Sequence, residues 1–368
     1  MEKKAFIPVA EPVFDGRELE YLSDCIKSGW ISSIGKYVTE FEQGFARYIG
    51  CRYGVAVHTG TAALHLALAA LNVGPGDEVI VPDLTFAATA NAVLYTGAKP
   101  VLVDVQEDTW NIDPQQVEKA INENTKAVIA VHLYGHPCDI EAILDICDRY
   151  GIMLVEDAAE AHGSEYRGKK VGSFGKISIF SFFGNKVITT GEGGICLTDD
   201  PDLKQRIEQL RDHGMSTIKK YWHDVVGYNY RMTNLQAAVG VAQLERIDWF
   251  VERKRKIAEL YKNYLENIGD LILPTEKDYA KNVFWMFTIC LRVQCKVSRD
   301  ELMQLLKSEG VDSRPVFFPL HMMPPYYTGK AFPNSEKISK AGLSLPSSAA
   351  LTEQNVDRIC RLITRFIT

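Results

Sequence analysis

Short apolar runs alternate with longer amphipathic stretches through most of the N-terminal half of the chain. Residues 17–28 carry a helical pattern, which the WISSIG segment across Gly29–Gly35 breaks. Thr39–Tyr48 reads as a second helix, because Phe41, Phe45 and Tyr48 recur at the spacing of one helical face. A brief strand over Val55–Val57 meets a turn at Gly60 and Thr61. A helix over Ala62–Leu71 follows and stops at Gly74-Pro75-Gly76. Further strands are predicted at Val79–Pro82, Pro100–Val103, Ala127–Val131 and Met153–Val155, with helices between them over Thr85–Tyr95, Pro114–Ile121 and Ile140–Tyr150. Short apolar strands joined through helices imply an α/β fold with a mostly parallel sheet covered on both faces. Ile177–Ser181 and Gly194–Thr198 add two strands without an obvious crossover helix between them, which admits an antiparallel member.

From Asn234 the texture changes to a long helical register, bent near Asp248. It leads to a strand candidate over 284–293 and a helix over Arg299–Ser308. The expected division is a large domain over residues 1–250, whose first residues reach the other domain, and a smaller C-terminal α/β domain over 251–368. No internal repeat or low-complexity tract interrupts this organisation.

Composition narrows the class. The 368 residues carry 41 basic and 47 acidic side chains, a formal charge of -6, with both signs mixed along the chain. The largest basic cluster, Arg253–Lys256, suits the wet face of a helix, so a nucleic-acid partner is not expected. The N-terminal stretch MEKKAFIPVAEPVFDGRE has positive charge but no apolar core of signal-peptide length, and no run has the length needed to cross a bilayer. The eight cysteines lack zinc-type spacing. Reduced thiols in a cytoplasmic protein, with no metal site, are the expectation.

The candidate chemistry lies in residues 152–195, where Asp157 ends an apolar strand and Lys186 sits between an aromatic-serine run and a glycine-rich turn. An aldehyde cofactor such as pyridoxal phosphate needs an amine to hold it as a Schiff base. Its pyridine nitrogen needs an anionic partner in order to stay protonated. Asp157 alone reads equally well as a helix cap, and most lysines are solvated. Phe182, Phe183, Val187 and Ile188 are placed in sequence to wall off the amine and depress its pKa. Gly60 and Thr61, just before a helix, offer N–H groups and a hydroxyl to a phosphate, and Ser181 offers a second hydroxyl. Phe86 is either a stacking partner for a pyridine ring or a core phenylalanine.

The sequence resembles the DegT/DnrJ/EryC1/StrS sugar aminotransferases, enzymes of pyridoxal phosphate fold type I. The resemblance runs through WISSIG, TGTAALHLAL, GPGDEVIVP, HLYGHPCD, VEDAAEAHGS, FSFFGNKVITTGEGG, YNYRMTN and SRPVFFPLHMMPPY. It implies that Lys186 is the Schiff-base lysine and Asp157 the partner of the pyridine nitrogen. It also implies phosphate contacts from Gly60, Thr61 and Ser181, joined by Asn234 of the neighbouring subunit. Phe86 would stack on the ring where many relatives have tyrosine or tryptophan, and Glu160 would lie near the ring face or its 3-oxygen. His58 and Thr59 depart from the family's small amide pair. Trp30, Ser32, Ser33, Tyr221, His223, Tyr228, Arg231, Arg314 and His321 are the resemblance's candidates for substrate and dimer contacts, Arg231 as a partner for a donor carboxylate.

The resemblance further implies a homodimer with active sites at the interface and a cofactor cycling between pyridoxal and pyridoxamine phosphate. Glutamate is the implied donor. The runs SFFGNK, YWHDVVGYNYRMTN and RPVFFPLHMMP resemble the branch that aminates GDP-4-keto-6-deoxymannose at C4 to give GDP-perosamine, for O-antigen or another surface polysaccharide. A UDP- or dTDP-linked keto-sugar, or amination at C3, is the rival reading. A non-catalytic ligand sensor or structural partner would need a disabled lysine or an attached binding domain, and neither is read in the sequence.

Overall fold

The computed structural model describes residues 5–367; residues 1–4, which belong to the N-terminal stretch read above, and residue 368 lie outside the described residues. Helices α1 (Glu18–Ser28) and α2 (Lys36–Ile49) precede strand β1 (Tyr53–Val57) and helix α3 (Gly60–Ala70). Strands β2 (Glu78–Pro82), β3 (Lys99–Val103), β4 (Thr125–Val131) and β5 (Met153–Asp157) alternate with α4 (Ala88–Tyr95), α5 (Pro114–Ala120) and α6 (Ile140–Tyr150). The short pair β6 (Glu165–Tyr166) and β7 (Lys169–Lys170) comes before β8 (Ile177–Ser181) and β9 (Gly194–Thr198). Seven of these strands form one sheet in the order β1-β9-β8-β5-β4-β2-β3. Only β9 runs against its neighbours, pairing antiparallel with both β1 and β8.

The alternation of faces explains why these segments are strands. In β4, Val128 and Ala130 feed one core while Ala127, Ile129 and Val131 feed the other. A strand buried on both faces reads as a continuous apolar run. Phe41 and Phe45 of α2 meet Phe182 edge-on at 4.9 and 5.0 Å between ring centroids, closing one layer. Helix α3 is buried nearly all round, which is why GTAALHLALAA carries almost no polar face.

After α7 (Pro201–Arg211) the chain forms α8 (Asn234–Leu244) and α9 (Ile247–Leu265). The expected single bent helix is therefore two. Arg246, between them, leaves helical geometry at φ -120° and lays its guanidinium over Trp249 and Phe250. A second sheet, in the order β10-β12-β14-β13, contains β10 (Leu271–Ile272), β12 (Phe287–Leu291), β13 (Arg314–Pro315) and β14 (Gly342–Leu345). Strand β11 (Ala280–Lys281) instead pairs with β6. Helices α10 (Arg299–Ser308), α11 (Pro333–Ala341) and α12 (Glu353–Ile367) complete this part. Its core gathers Ile7 with residues between Ile257 and Ile367.

Two further boundaries differ from the sequence reading. The strand expected over 284–293 begins only at Phe287, because Phe284 takes a positive φ of 51° and Trp285 N–H bonds to the Tyr134 carbonyl instead of a sheet neighbour. Helix α4 begins at Ala88, leaving Thr85 and Phe86 in a turn. All eight cysteines are free thiols. Among the described residues no helix is long and apolar enough to cross a membrane.

Candidate active site

Strands β2, β4, β5 and β8 end along one edge of the large sheet, at Pro82, Val131, Asp157 and Ser181. Ligands of open α/β sheets collect beyond such carboxyl ends. A cavity of about 430 Å³ opens there, bounded by Gly60, Phe86, Asp157, Ser181, Lys186 and Arg314 among others.

Lys186 enters it from the turn after β8. Its side chain is 12% exposed, and Nζ lies 3.6 Å from Glu160 Oε1 and 3.9 Å from the centroid of the Trp285 ring. Burial pulls the amine below the usual lysine range, while the Glu160 and Asp157 carboxylates push it the other way. Only part of the expected wall surrounds it. Phe183 and Val187 lie near the lysine, but Phe182 packs into the core against Phe41 and Phe45, because alternate residues leaving β8 face opposite sides. Trp285 replaces it as the aromatic wall.

Asp157 is buried and accepts hydrogen bonds from Thr89 Oγ1 at 2.9 Å and from Ala159 N–H at 3.2 Å. Burial raises its pKa, and those two bonds oppose the rise. Glu160 accepts from Tyr134 N–H at 2.8 Å and is pushed up to about 7 by burial, with Lys186 pulling it down. Thr59 caps α3 by accepting from Ala62 N–H at 3.1 Å. It therefore has a structural reason to stand where the family's amide was expected. The neighbouring His58 keeps a buried Nδ1 without a partner. Phe86 is 58% exposed, with its ring 5.8 Å from that of Phe317.

Other expected contacts fall elsewhere. Asn234 is buried within its own chain: its side chain accepts from Tyr37 N–H at 3.1 Å and donates to the Trp30 carbonyl at 2.7 Å. Its amide is thus committed beneath the 29–36 loop and does not line this chain's own cavity. His321 is also buried, its Nδ1 2.8 Å from Asp83 Oδ2 and its Nε2 3.3 Å from Glu336 Oε1, so it ties segments together outside the cavity. Tyr228 stacks on Tyr230 at 4.9 Å and packs on His65. Arg231 pairs with Asp212 at 2.9 Å and bonds Asn229. Trp30, Ser32, Tyr221 and His223 are exposed and Ser33 half-buried, none of them lining this chain's cavity. Of the nine substrate candidates Arg314 alone lines it.

Thr89, Tyr134, Trp285 and Phe317 are among the lining residues that escaped sequence reasoning. Tyr134 stacks between Trp285 at 6.0 Å and Phe317 at 5.5 Å, a column that no local pattern announces because its members come from distant segments.

Residues 12–364 match the DegT/DnrJ/EryC1/StrS aminotransferase family. The chain belongs to that family. It is 47% identical over 366 residues to a GDP-perosamine synthase of Caulobacter vibrioides, covering 98% of both chains. To a GDP-perosamine synthase of Escherichia coli O157:H7 it is 46% identical over 363 residues, again covering 98% of both. A putative sugar aminotransferase of Streptococcus pneumoniae, solved in its PLP form, superposes with a TM-score of 0.93 at 27% identity, covering 99% of this chain and 100% of that one.

This family member is an aminotransferase whose cofactor is pyridoxal 5′-phosphate, and the cavity fits that group. A Cβ at Gly60 would come within 2.6 Å of Ser181 Cβ, so glycine is what lets the first turn of α3 close on the end of β8. Gly194 serves the same approach, since a Cβ there would lie 2.4 Å from the Thr59 carbonyl oxygen. One wall thus gathers a helix N-terminus and the Thr61 and Ser181 hydroxyls, the donors a phosphate asks for. Asp157 keeps lone pairs beyond its two accepted bonds, enough for a ring N–H.

Proposed function

We propose that this aminotransferase moves an amino group from glutamate to C4 of GDP-4-keto-6-deoxymannose, forming GDP-perosamine. The observation that carries this reading is identity of 47% and 46%, over 98% of each chain, to two GDP-perosamine synthases. The reading assigns Lys186 as the anchor of the cofactor, Asp157 as the partner of its ring nitrogen, and Gly60, Thr61 and Ser181 as the phosphate site. Phe86 covers the ring, with Glu160 near its 3-oxygen. Arg314 meets an anionic group of the substrate.

When bound, the cofactor supplies an electrophilic carbon for the amine and a sink for the electrons released at the substrate carbon. Asp157, as a carboxylate, holds a proton on the nitrogen that faces it. Lys186 Nζ, lowered by burial, takes the proton from the substrate carbon and returns it one carbon away. Glu160, pushed up to about 7, lies 3.6 Å from that amine and exchanges a proton with it near neutral pH. The apolar column of Phe86, Phe317, Tyr134 and Trp285 keeps water from the reacting carbon.

We also assign a homodimer. Exposed Ile218, Tyr221, Trp222 and Val226, with Trp30, Ile31 and Ile34, support a surface that another copy covers. Trp30, Tyr221, His223 and Arg231, which do not line this chain's own cavity, then act on substrate from the partner's side. A place in the cytoplasm and a role in O-antigen or other surface-polysaccharide synthesis complete the reading.

Competition kinetics with purified GDP-, UDP- and dTDP-linked keto-sugars test the substrate. The GDP sugar is expected to have a kcat/KM at least about tenfold above the others, a transition-state preference of ~1.4 kcal/mol. Faster turnover of a UDP or dTDP substrate would overturn the GDP assignment.

A further inference from the structure

Trp285 is part of the wall that excludes water, yet it also touches the reactive amine. It is 5% exposed and held from four sides. Its Nε1–H donates to the Asn185 carbonyl at 2.7 Å, the peptide immediately before Lys186. Its backbone N–H donates to the Tyr134 carbonyl at 3.0 Å, and its own carbonyl accepts from the buried Lys254 Nζ at 3.0 Å. The ring stacks on Tyr134, 13° from parallel. A ring so fixed presents one face, and Lys186 Nζ lies 3.9 Å from its centroid, inside the ~6 Å range of a cation–π contact.

Resting on the assignment of Lys186 as the reacting lysine, we propose that Trp285 is a positioning residue that sets the proton count of that lysine. Burial favours the neutral amine. The negative ring face favours the ammonium, and does so more strongly in a desolvated site. Nζ that has taken the substrate proton therefore rests on the indole, near Glu160, and holds that proton until it is returned. The Nε1–H bond fixes the lysine-bearing turn so that release does not let it wander. Tryptophan suits both tasks, having the deepest face of the aromatic side chains and a ring N–H. Phenylalanine supplies a weaker face and no donor, and leucine neither.

The test uses the full-length enzyme loaded in its pyridoxamine form, in which Lys186 is free. Carbamylation of Lys186 by cyanate is followed by peptide mass mapping between pH 6 and 10. In Trp285→Leu the labelling midpoint is expected to fall by about one pH unit, giving about tenfold faster labelling at neutral pH. Trp285→Phe should fall between the leucine variant and the wild type, and it carries the test if the leucine variant does not fold. A midpoint unchanged or raised in the folded variants overturns the role of Trp285. Borohydride reduction of the wild-type pyridoxal form separates the two levels. Cofactor trapped on Lys186 with no midpoint shift refutes only the tryptophan, whereas cofactor trapped on another lysine refutes the assignment beneath it.

Discussion

Replacing Asp157 with asparagine separates charge from shape at the centre of the site. The carboxylate accepts from the Thr89 hydroxyl at 2.9 Å and from Ala159 N–H at 3.2 Å, and Thr89 lies 3.2 Å from the Thr85 hydroxyl. An asparagine Oδ1 still accepts from Ala159 N–H, and its Nδ2 donates to Thr89, whose own proton turns to Thr85. Every buried polar atom keeps a partner, and the burial cost of the carboxylate disappears. The fold should therefore change by no more than ~1 kcal/mol, a shift of a few degrees in Tm. The chemistry should suffer far more. Losing one preorganised charge aimed at a developing charge costs roughly 10²–10³ in rate, ~3–4 kcal/mol. Exchange of the glutamate α-proton into deuterated solvent, followed by NMR beside a thermal melt, reads both quantities at once. A cofactor methylated at its ring nitrogen carries a permanent charge and should restore part of the lost exchange. Exchange within tenfold of the wild type, or no recovery with the methylated cofactor, would refute the role given to Asp157.

Three other outcomes follow from particular contacts. Lys186→Ala should abolish turnover while far-UV circular dichroism stays native; residual turnover above a thousandth of wild type would argue for a different anchor. Asn234→Ala strands the Tyr37 N–H and the Trp30 carbonyl and should cost about 1–3 kcal/mol of stability in denaturant titrations, with cofactor affinity little changed. Loss of cofactor binding in a normally stable variant would return Asn234 to the phosphate site. His162 lies among Phe45, Phe180 and Phe182 with neither ring nitrogen partnered, and burial lowers it to about 3. The folded chain therefore binds fewer protons at this site than the unfolded chain between about pH 3 and 6.5, so stability rises with pH across that window and falls as acid is added. His162→Phe should flatten that dependence in urea titrations, and an unchanged acid slope would show that the histidine is not its source.

The α/β architecture was legible because a strand buried on both faces leaves an apolar run, and crossover helices leave periodic ones. Residues fixed by local chain geometry were legible too: Gly60 opens α3, Ser181 ends β8, and Lys186 lies in the turn between β8 and β9. Tertiary pairing hid the rest. Trp285 reads as strand until Phe284 turns to a positive φ and the Tyr134 carbonyl claims its N–H. Tyr134 itself shows no signal, since the aromatic column it completes joins segments far apart in sequence. The intrachain partners of Asn234 and His321 were hidden for the converse reason. A buried amide consumed by a loop, and an imidazole held between two carboxylates, look in sequence just like polar groups awaiting a ligand.

Incubation of the enzyme with ¹⁵N-glutamate and GDP-4-keto-6-deoxymannose, with the product resolved by NMR, tests the central claim most directly. The account predicts ¹⁵N on C4 of a manno-configured 6-deoxy sugar still linked to GDP. Nitrogen at C3, or an unaltered keto-sugar beside an enzyme that turns over a UDP- or dTDP-linked one, would contradict it.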